Sequence, residues 1–272
     1  MIKDITIGQY FPGDSPLHRL DPRLKILLII VYIVVLFMST NLVGLAASGI
    51  FVIAMYLISK IPLKVLRKSL KPILPLIVFT VVLNLFFIKG EGAPVISVWK
   101  LSIYKEGLLF CLVMVMRIIF LICGTSLLTY TTSTITLTDG LESLMKPLKV
   151  VHFPAHEMSM MITIALRFIP TLVEETDKIM SAQKSRGALL DSGTFKEKVQ
   201  AMIPILIPLF ISAFRRAEEL ATAMECRCYR GGDGRTSLRQ LKITGSDIAS
   251  TIACVVIFAA ILYMKRIFPR VV

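Results

Sequence analysis

Two short stretches carry an arginine among small residues, and each closes a long helical pattern. The first reads Ser185-Arg186-Gly187 and the second Cys226-Arg227-Cys228. In each, an alanine (Ala182 or Ala223) stands four residues before the arginine. A guanidinium is a rigid planar fork that pairs with carboxylates and carbonyls. Small neighbours let a partner backbone come close, and a cation suits the negative pole of a helix C-terminus. The chemistry on offer is recognition of a protein surface rather than bond-making. An arginine before glycine also reads as an ordinary helix C-cap with a solvated charge. Repetition at the ends of two successive helices is what raises the docking reading to equal weight.

The other residues with chemical potential do not assemble into a site. His18, His152 and His156 form no ligand-spaced set with acids, and Pro154 stands between the last two. Cys111, Cys123 and Cys254 lie in apolar runs, while Cys226 and Cys228 make a lone Cys-x-Cys. That is neither a disulfide framework nor a complete zinc site, and a reduced, cytoplasmic setting fits it. The glycines from Gly231 to Gly234 follow a helix and lack the lysine spacing of a phosphate loop. The chain is therefore expected to bind no metal and to hydrolyse no ATP. Arg117 sits inside an apolar run, where a charge costs about 2.5–3.5 kcal/mol on insertion scales, so a pairing within a helix bundle is expected. Asp21 and Arg23 read as a helix cap and an interface anchor.

The elements that must hold the two arginines follow from how apolar residues and charges are segregated. Of 272 residues 55% are hydrophobic, and the mean hydropathy is +0.75. That excess is more than a soluble core needs, so lipid receives side chains. Lys and Arg number 31 against 18 acids, a formal net charge of +13. The basic residues flank apolar runs, which points to membrane topology and anionic lipid rather than nucleic acid. Spans are expected at about Leu24–Met38, Leu42–Ile58, Pro72–Ile88, Gly107–Leu128 and Ile248–Met264. Asp21-Pro22 is a start signal for the first, and Ser39-Thr40-Asn41 separates the first two. No cleavable leader is expected, because a second apolar run follows the first almost at once. The stretch from Lys60 to Lys71 has five cations and no acid, which places it, and with it the N-terminus, in the cytoplasm. Lys89–Glu106 is expected to be an outer loop.

Residues 130–245 differ in character. Two helical patterns run from about Ala155 to Leu190 and from about Thr194 to Tyr229. At ~1.5 Å per residue each would be ~50 Å long, against ~30 Å of hydrocarbon. Each is apolar first and charged later, so neither is expected to be a simple span, and both are expected to lie obliquely or along the interface. Pro170, Pro204 and Pro208 allow bends. The expected fold is thus an all-α membrane protein with about five transmembrane helices plus two long interfacial helices ending near 187 and 229. Its expected divisions are 1–129, 130–245 and 246–272.

Over essentially its whole length the chain resembles the transmembrane T component of energy-coupling factor transporters, related to the cobalt-transport permease subunit. Near the N-terminus the likeness rests on Gly8-Gln9-Tyr10, Ser15, His18, Leu20-Asp21-Pro22-Arg23 and Lys25. Near the other end it rests on Ala223-Met224-Glu225, Arg227, Tyr229-Arg230-Gly231-Gly232 and Gly234-Arg235-Thr236. That family ends two coupling helices in Ala-Arg-Gly motifs. Here the arginines remain, Ser and Cys replace the alanines, and Cys228 replaces the second glycine. The resemblance implies that two cytoplasmic ATPase subunits, which bind ATP and Mg²⁺ themselves, take the ends carrying Arg186 and Arg227 into grooves. It implies that an S component, the binder of a vitamin or metal, docks on the apolar halves of the long helices. Met158, Met161, Ile162, Ala165, Ile203, Ile207 and Phe210 would form that surface, with methionine adapting to varied partners. The chain itself would be a non-catalytic subunit without a cofactor, in a bacterial plasma membrane. A self-contained secondary transporter would need acids at the midplane of its spans, and a membrane-embedded enzyme would need clustered His, Asp or Glu. The sequence shows neither pattern.

Overall fold

The computed structural model describes residues 10–87, 96–98, 101–151, 153–188, 194–231 and 241–267. Helices dominate them, as an all-α membrane protein requires. Pro16–Arg19 is α1, Pro22–Met38 α2, Leu42–Ser59 α3 and Leu63–Leu70 α4. A 3-10 turn at Lys71–Ile73 leads into α5, Leu74–Phe87. Two short antiparallel strands, β1 (Ile96–Val98) and β2 (Leu101–Ile103), pair Ile96 with Ile103 and Val98 with Leu101. Lys105–Thr131 is α6, Thr134–Met145 α7, Ala155–Ser185 α8, Phe195–Cys226 α9 and Gly245–Ile267 α10.

The chain forms two compact units, one of residues 8–141 with 240–272 and the other built on Glu142–Arg239. In the first, α2, α3, α6 and α10 pack on one another. Tyr32, Leu36, Leu45, Val52, Tyr56, Phe120 and Phe258 are the centre of its core. Lipid offers no hydrophobic drive between helices, so association rests on close van der Waals packing and interhelical hydrogen bonds. Both are present. The hydroxyls of Tyr32 and Tyr56 each donate at 3.0 Å to carbonyls of α6, those of Phe120 and Cys123. A methyl at Gly49 would run into the Phe120 ring, and one at Gly124 into the Tyr32 ring. Outward, α2 and α3 expose Ile30, Val34, Phe37, Ile50, Ile53 and Leu57, a surface suited to lipid.

Five helical runs among the described residues are long and apolar enough to cross a membrane: α3, the α4–α5 run, α6, α9 and α10. Four match expected spans. The expected first span, α2, has only 17 residues, near the lower limit for crossing ~30 Å of hydrocarbon. Its place in the set is taken by α9, whose apolar middle outweighs its charged ends. Ile88, where the third span was expected to close, lies outside the described residues. Pro72 has no N–H to give, and the chain makes a 3-10 turn there before α5 begins.

Within the N-terminal motif, Ser15, His18, Asp21 and Lys25 are fasteners, while Gly8 and Gln9 lie outside the described residues. Ser15 caps α1, and its hydroxyl lies 2.7 Å from His18 Nδ1. His18 Nε2 lies 3.0 Å from the Phe11 carbonyl. Asp21 caps α2 by accepting from the Arg23 N–H at 2.9 Å, with Pro22 at the first helical position. Lys25 is buried, and its ammonium donates to the His18 carbonyl, the Thr131 carbonyl and Thr132 Oγ1. It joins the start of α2 to the negative end of α6. Arg117 is paired as expected. Its guanidinium donates at 2.9 Å to the carbonyl of Ser39, which caps the end of α2, and lies 5.9 Å from the Phe37 ring centre.

Candidate functional site

The second unit is organised by α8 and α9, of 31 and 32 residues. Thr194 starts α9 with a capping box, since its side chain accepts from the Glu197 backbone and Glu197 accepts from the Thr194 N–H at 2.7 Å. The two helices pack together, and their cross-contacts run in opposite directions along the chain. Glu175 meets Ser212 and Arg216, while Gln183 meets Pro204. The pair is therefore antiparallel. Arg216 donates to Glu175 Oε2 at 3.0 Å, and the Ser212 hydroxyl donates to Oε1. The Gln183–Pro204 contact has its origin in α9 itself. Pro208 cannot donate to the Pro204 carbonyl, and the Gln183 side-chain amide takes up that orphaned oxygen at 3.4 Å.

Both helices end in the same backbone motif. At the first end the Ala188 N–H bonds the Gln183 carbonyl and the Gly187 N–H bonds the Lys184 carbonyl, each at 3.0 Å. At the second, Tyr229 bonds Met224 at 3.0 Å and Cys228 bonds Glu225 at 2.8 Å. These are the paired 6→1 and 5→2 bonds of a Schellman cap, with the arginine as C-cap residue in both. The next residue is left-handed: Gly187 at φ 85° and Cys228 at φ 55°. Without glycine the second end still holds the fold of the first. The caps stop the helices at Ser185 and Cys226, close to the expected ends near 187 and 229, and Leu190, the outer limit of the first helical pattern, lies outside the described residues.

Arg186 and Arg227 are both exposed, as are Ser185, Gly187, Cys226 and Cys228. Among the described residues neither arginine forms an ion pair. The two arginines are not brought together. Arg186 lies near the Pro204 level of α9, and the run from there to Arg227, at ~1.5 Å per residue, puts them on the order of 30 Å apart. The antiparallel pair of helices thus presents two like ends well apart.

The apolar residues fall on regular stripes. Met158, Met161, Ile162 and Ala165 are all exposed along α8, at i, i+3, i+4 and i+7. On α9, Ile203, Ile207 and Phe210 are exposed, and the stripe is wider than the sequence reading allowed. Met202, Leu206, Ile211 and Phe214 join it, with Phe214 lying 4.6 Å from Phe210 between ring centres. The Glu175–Ser212–Arg216 clamp was also missed. Its signal was the spacing of Ser212 and Arg216 one turn apart on a face that is apolar elsewhere. Ser212 lowers the Glu175 carboxyl most; partial burial opposes it, and Arg216 and Lys178 add to a net shift below the usual range.

Nearer the start of α8, Glu142 lies 3.0 Å from His156 Nδ1. Burial alone raises the Glu142 carboxyl, but hydrogen bonds from His156 and Ser159, with Lys146 nearby, bring it below the usual range. His156 is thereby used as a fastener between α7 and α8. Among the described residues no group of three His, Cys, Asp or Glu is placed to hold a metal. His152 lies outside them.

Comparison with known proteins agrees with this architecture. The profile of the cobalt transport protein family CbiQ matches residues 13–238. The chain belongs to the CbiQ family. The match includes both arginine ends and all of α2 to α9. Its relatives are similar over nearly their full lengths. The energy-coupling factor transporter transmembrane protein EcfT of Clostridium kluyveri is 52% identical over 269 residues, 98% of this chain and 99% of the relative. The protein of that name from Thermosediminibacter oceani is 54% identical over 252 residues, 93% of this chain and 94% of its own. That from Bacillus subtilis is 44% identical over 266 residues, 98% and 100%. A CbiQ-family chain with several apolar helices is a membrane protein, and Ser15 and Asp21 of its N-terminal motif have a physical account in the caps of α1 and α2.

Proposed function

We propose that the chain is the transmembrane energy-coupling subunit of an ATP-driven importer of the energy-coupling factor type. The names and full-length similarity of its relatives support the assignment. The observation that carries the mechanism is the pair of matched caps. Two exposed arginines in one backbone geometry, at opposite ends of an antiparallel pair, suit two like partners side by side. In this reading the partners are cytoplasmic ATPases that bind ATP and Mg²⁺, and each takes one arginine into a groove. A bidentate guanidinium at each end fixes direction as well as position. The clamp at Glu175 and the Gln183–Pro204 bond make α8 and α9 move together. Closure of the ATPases then displaces both ends of one stiff body.

The exposed stripes of α8 and α9 receive the S component, the membrane protein that holds a vitamin or other micronutrient. Displacement of the stripes reorients it. The cations of α4 and the N-terminus lie on the cytoplasmic side. A self-contained transporter finds less support. The buried carboxylates Asp21 and Asp247 lie at helix starts, where they accept backbone N–H groups rather than stand at mid-span.

Replacing Arg186 and Arg227 together by alanine in the co-expressed complex is expected to cut uptake at least tenfold and to lower ATPase retention on purification. Wild-type uptake and retention in that double variant would refute the coupling role.

A further inference from the structure

Alongside α4 lies a crevice of about 540 Å³ bounded by α3, α4 and α6. Ile53, Leu57, Leu66, Leu70 and Ile119 form its walls, and Lys60 is its charged lining residue. Ile53 and Leu57 are 58% and 70% exposed on a helix read as a span, so the crevice opens on a lipid-facing surface. Lys60 is exposed at the end of α3. The next turn adds more charge. Lys64, Arg67, Lys68 and Lys71 are all exposed, at i, i+3, i+4 and i+7 on α4 and the turn after it. Val65, Leu66 and Leu70 pack inward against the core. No acid occurs from Lys60 to Lys71. None of these five cations forms an ion pair among the described residues.

An apolar slot beside an uncompensated cationic helix is complementary to one molecule in a bilayer. We propose that the crevice is a binding site for an anionic phospholipid, with an acyl chain between α3 and α6 and the phosphate at Lys60 under the field of α4. The positive field draws anionic headgroups to the surface, and the slot turns that general attraction into a site. The apolar cavity lined by Leu28, Phe51, Met55 and Leu127 offers no such preference. Its lysine, Lys25, already donates to three oxygens. The proposal depends on membrane insertion alone and is independent of the ATPase role.

The test is equilibrium binding of fluorescent phosphatidylglycerol or phosphatidylcholine, with identical acyl chains, to the purified full chain in neutral detergent. Phosphatidylglycerol is expected to bind at least tenfold more tightly, and added salt is expected to shrink the margin. Lys60→Gln, Lys64→Gln and Arg67→Gln together are expected to erase the preference, at roughly fivefold per cation. Lys196→Gln, Lys198→Gln and Arg215→Gln, which remove as many exposed cations from α9, are expected to leave it intact. Ile53→Trp keeps every cation but fills the slot, and is expected to weaken phosphatidylglycerol at least fivefold. Equal binding of the two lipids by the wild type would overturn the proposal. So would an unchanged preference in the Lys60 set, an equal loss in the α9 set, or unchanged binding by the tryptophan variant.

Discussion

Arg227 is held by a backbone that glycine would adopt more easily than the cysteine that follows it. Cys228 stands at φ 55° where the matching residue after Arg186 is Gly187. A side chain in the left-handed region costs about 1 kcal/mol. Cys228→Gly is therefore expected to steady the end of α9, with the Cys228 and Tyr229 amides exchanging with solvent about fivefold more slowly. Gly187→Ala is the converse. Among the described residues, chain neighbours aside, no atom lies within 4 Å of the added methyl, so the cost is conformational, about 1 kcal/mol. The amides at positions 187 and 188 are then expected to exchange about fivefold faster, with the rest of α8 unchanged. The arginines themselves were legible from residue type and spacing. The cap geometry was legible only at Gly187, because nothing in a Cys-Arg-Cys string announces a left-handed residue.

Four polar side chains, Glu175, Gln183, Ser212 and Arg216, fasten the paired helices, one of them at a proline defect. Because the Glu175 carboxyl is held below the ordinary carboxylate range, its ionised contacts stabilise the pair above that range. The contribution is lost as pH falls through its lowered value. The thermal stability of Glu175→Gln is expected to fall below the wild type at pH 7 and to approach it in strong acid. A gap that persists or widens on acidification would contradict this. In the bundle, Gly49→Ala is expected to cost about 1–3 kcal/mol by forcing the Phe120 ring aside, measurable as a lower melting temperature in detergent. Helix existence was legible from apolar runs and caps, as α2 and α3 show. The 3-10 turn at Pro72 and the bond from Gln183 to the Pro204 carbonyl were not. Each depends on which backbone group has lost its partner.

For the whole molecule, the expected behaviour is that of a scaffold which moves but does not hydrolyse. The purified chain is expected to show no nucleotide turnover, and an ATPase rate surviving removal of every partner would sink that expectation. Single substitution of Arg186 or Arg227 is expected to leave most of the uptake, since one end can still anchor, whereas the pair is expected to cut it at least tenfold. The sequence by itself determined the membrane character, most of the spans, the two long helices and the positions of their arginines. Those features follow from local hydropathy, charge and propensity, which a string of residues carries directly. Only the tertiary structure decided that α8 and α9 run antiparallel, so that Arg186 and Arg227 face apart rather than converge. It also decided that Lys25 is spent on fastening α2 to α6 while Lys60 stands free beside an apolar crevice. Both lysines flank apolar runs and read alike in sequence. What separates them is the set of oxygens within reach, which exists only once distant segments have packed together.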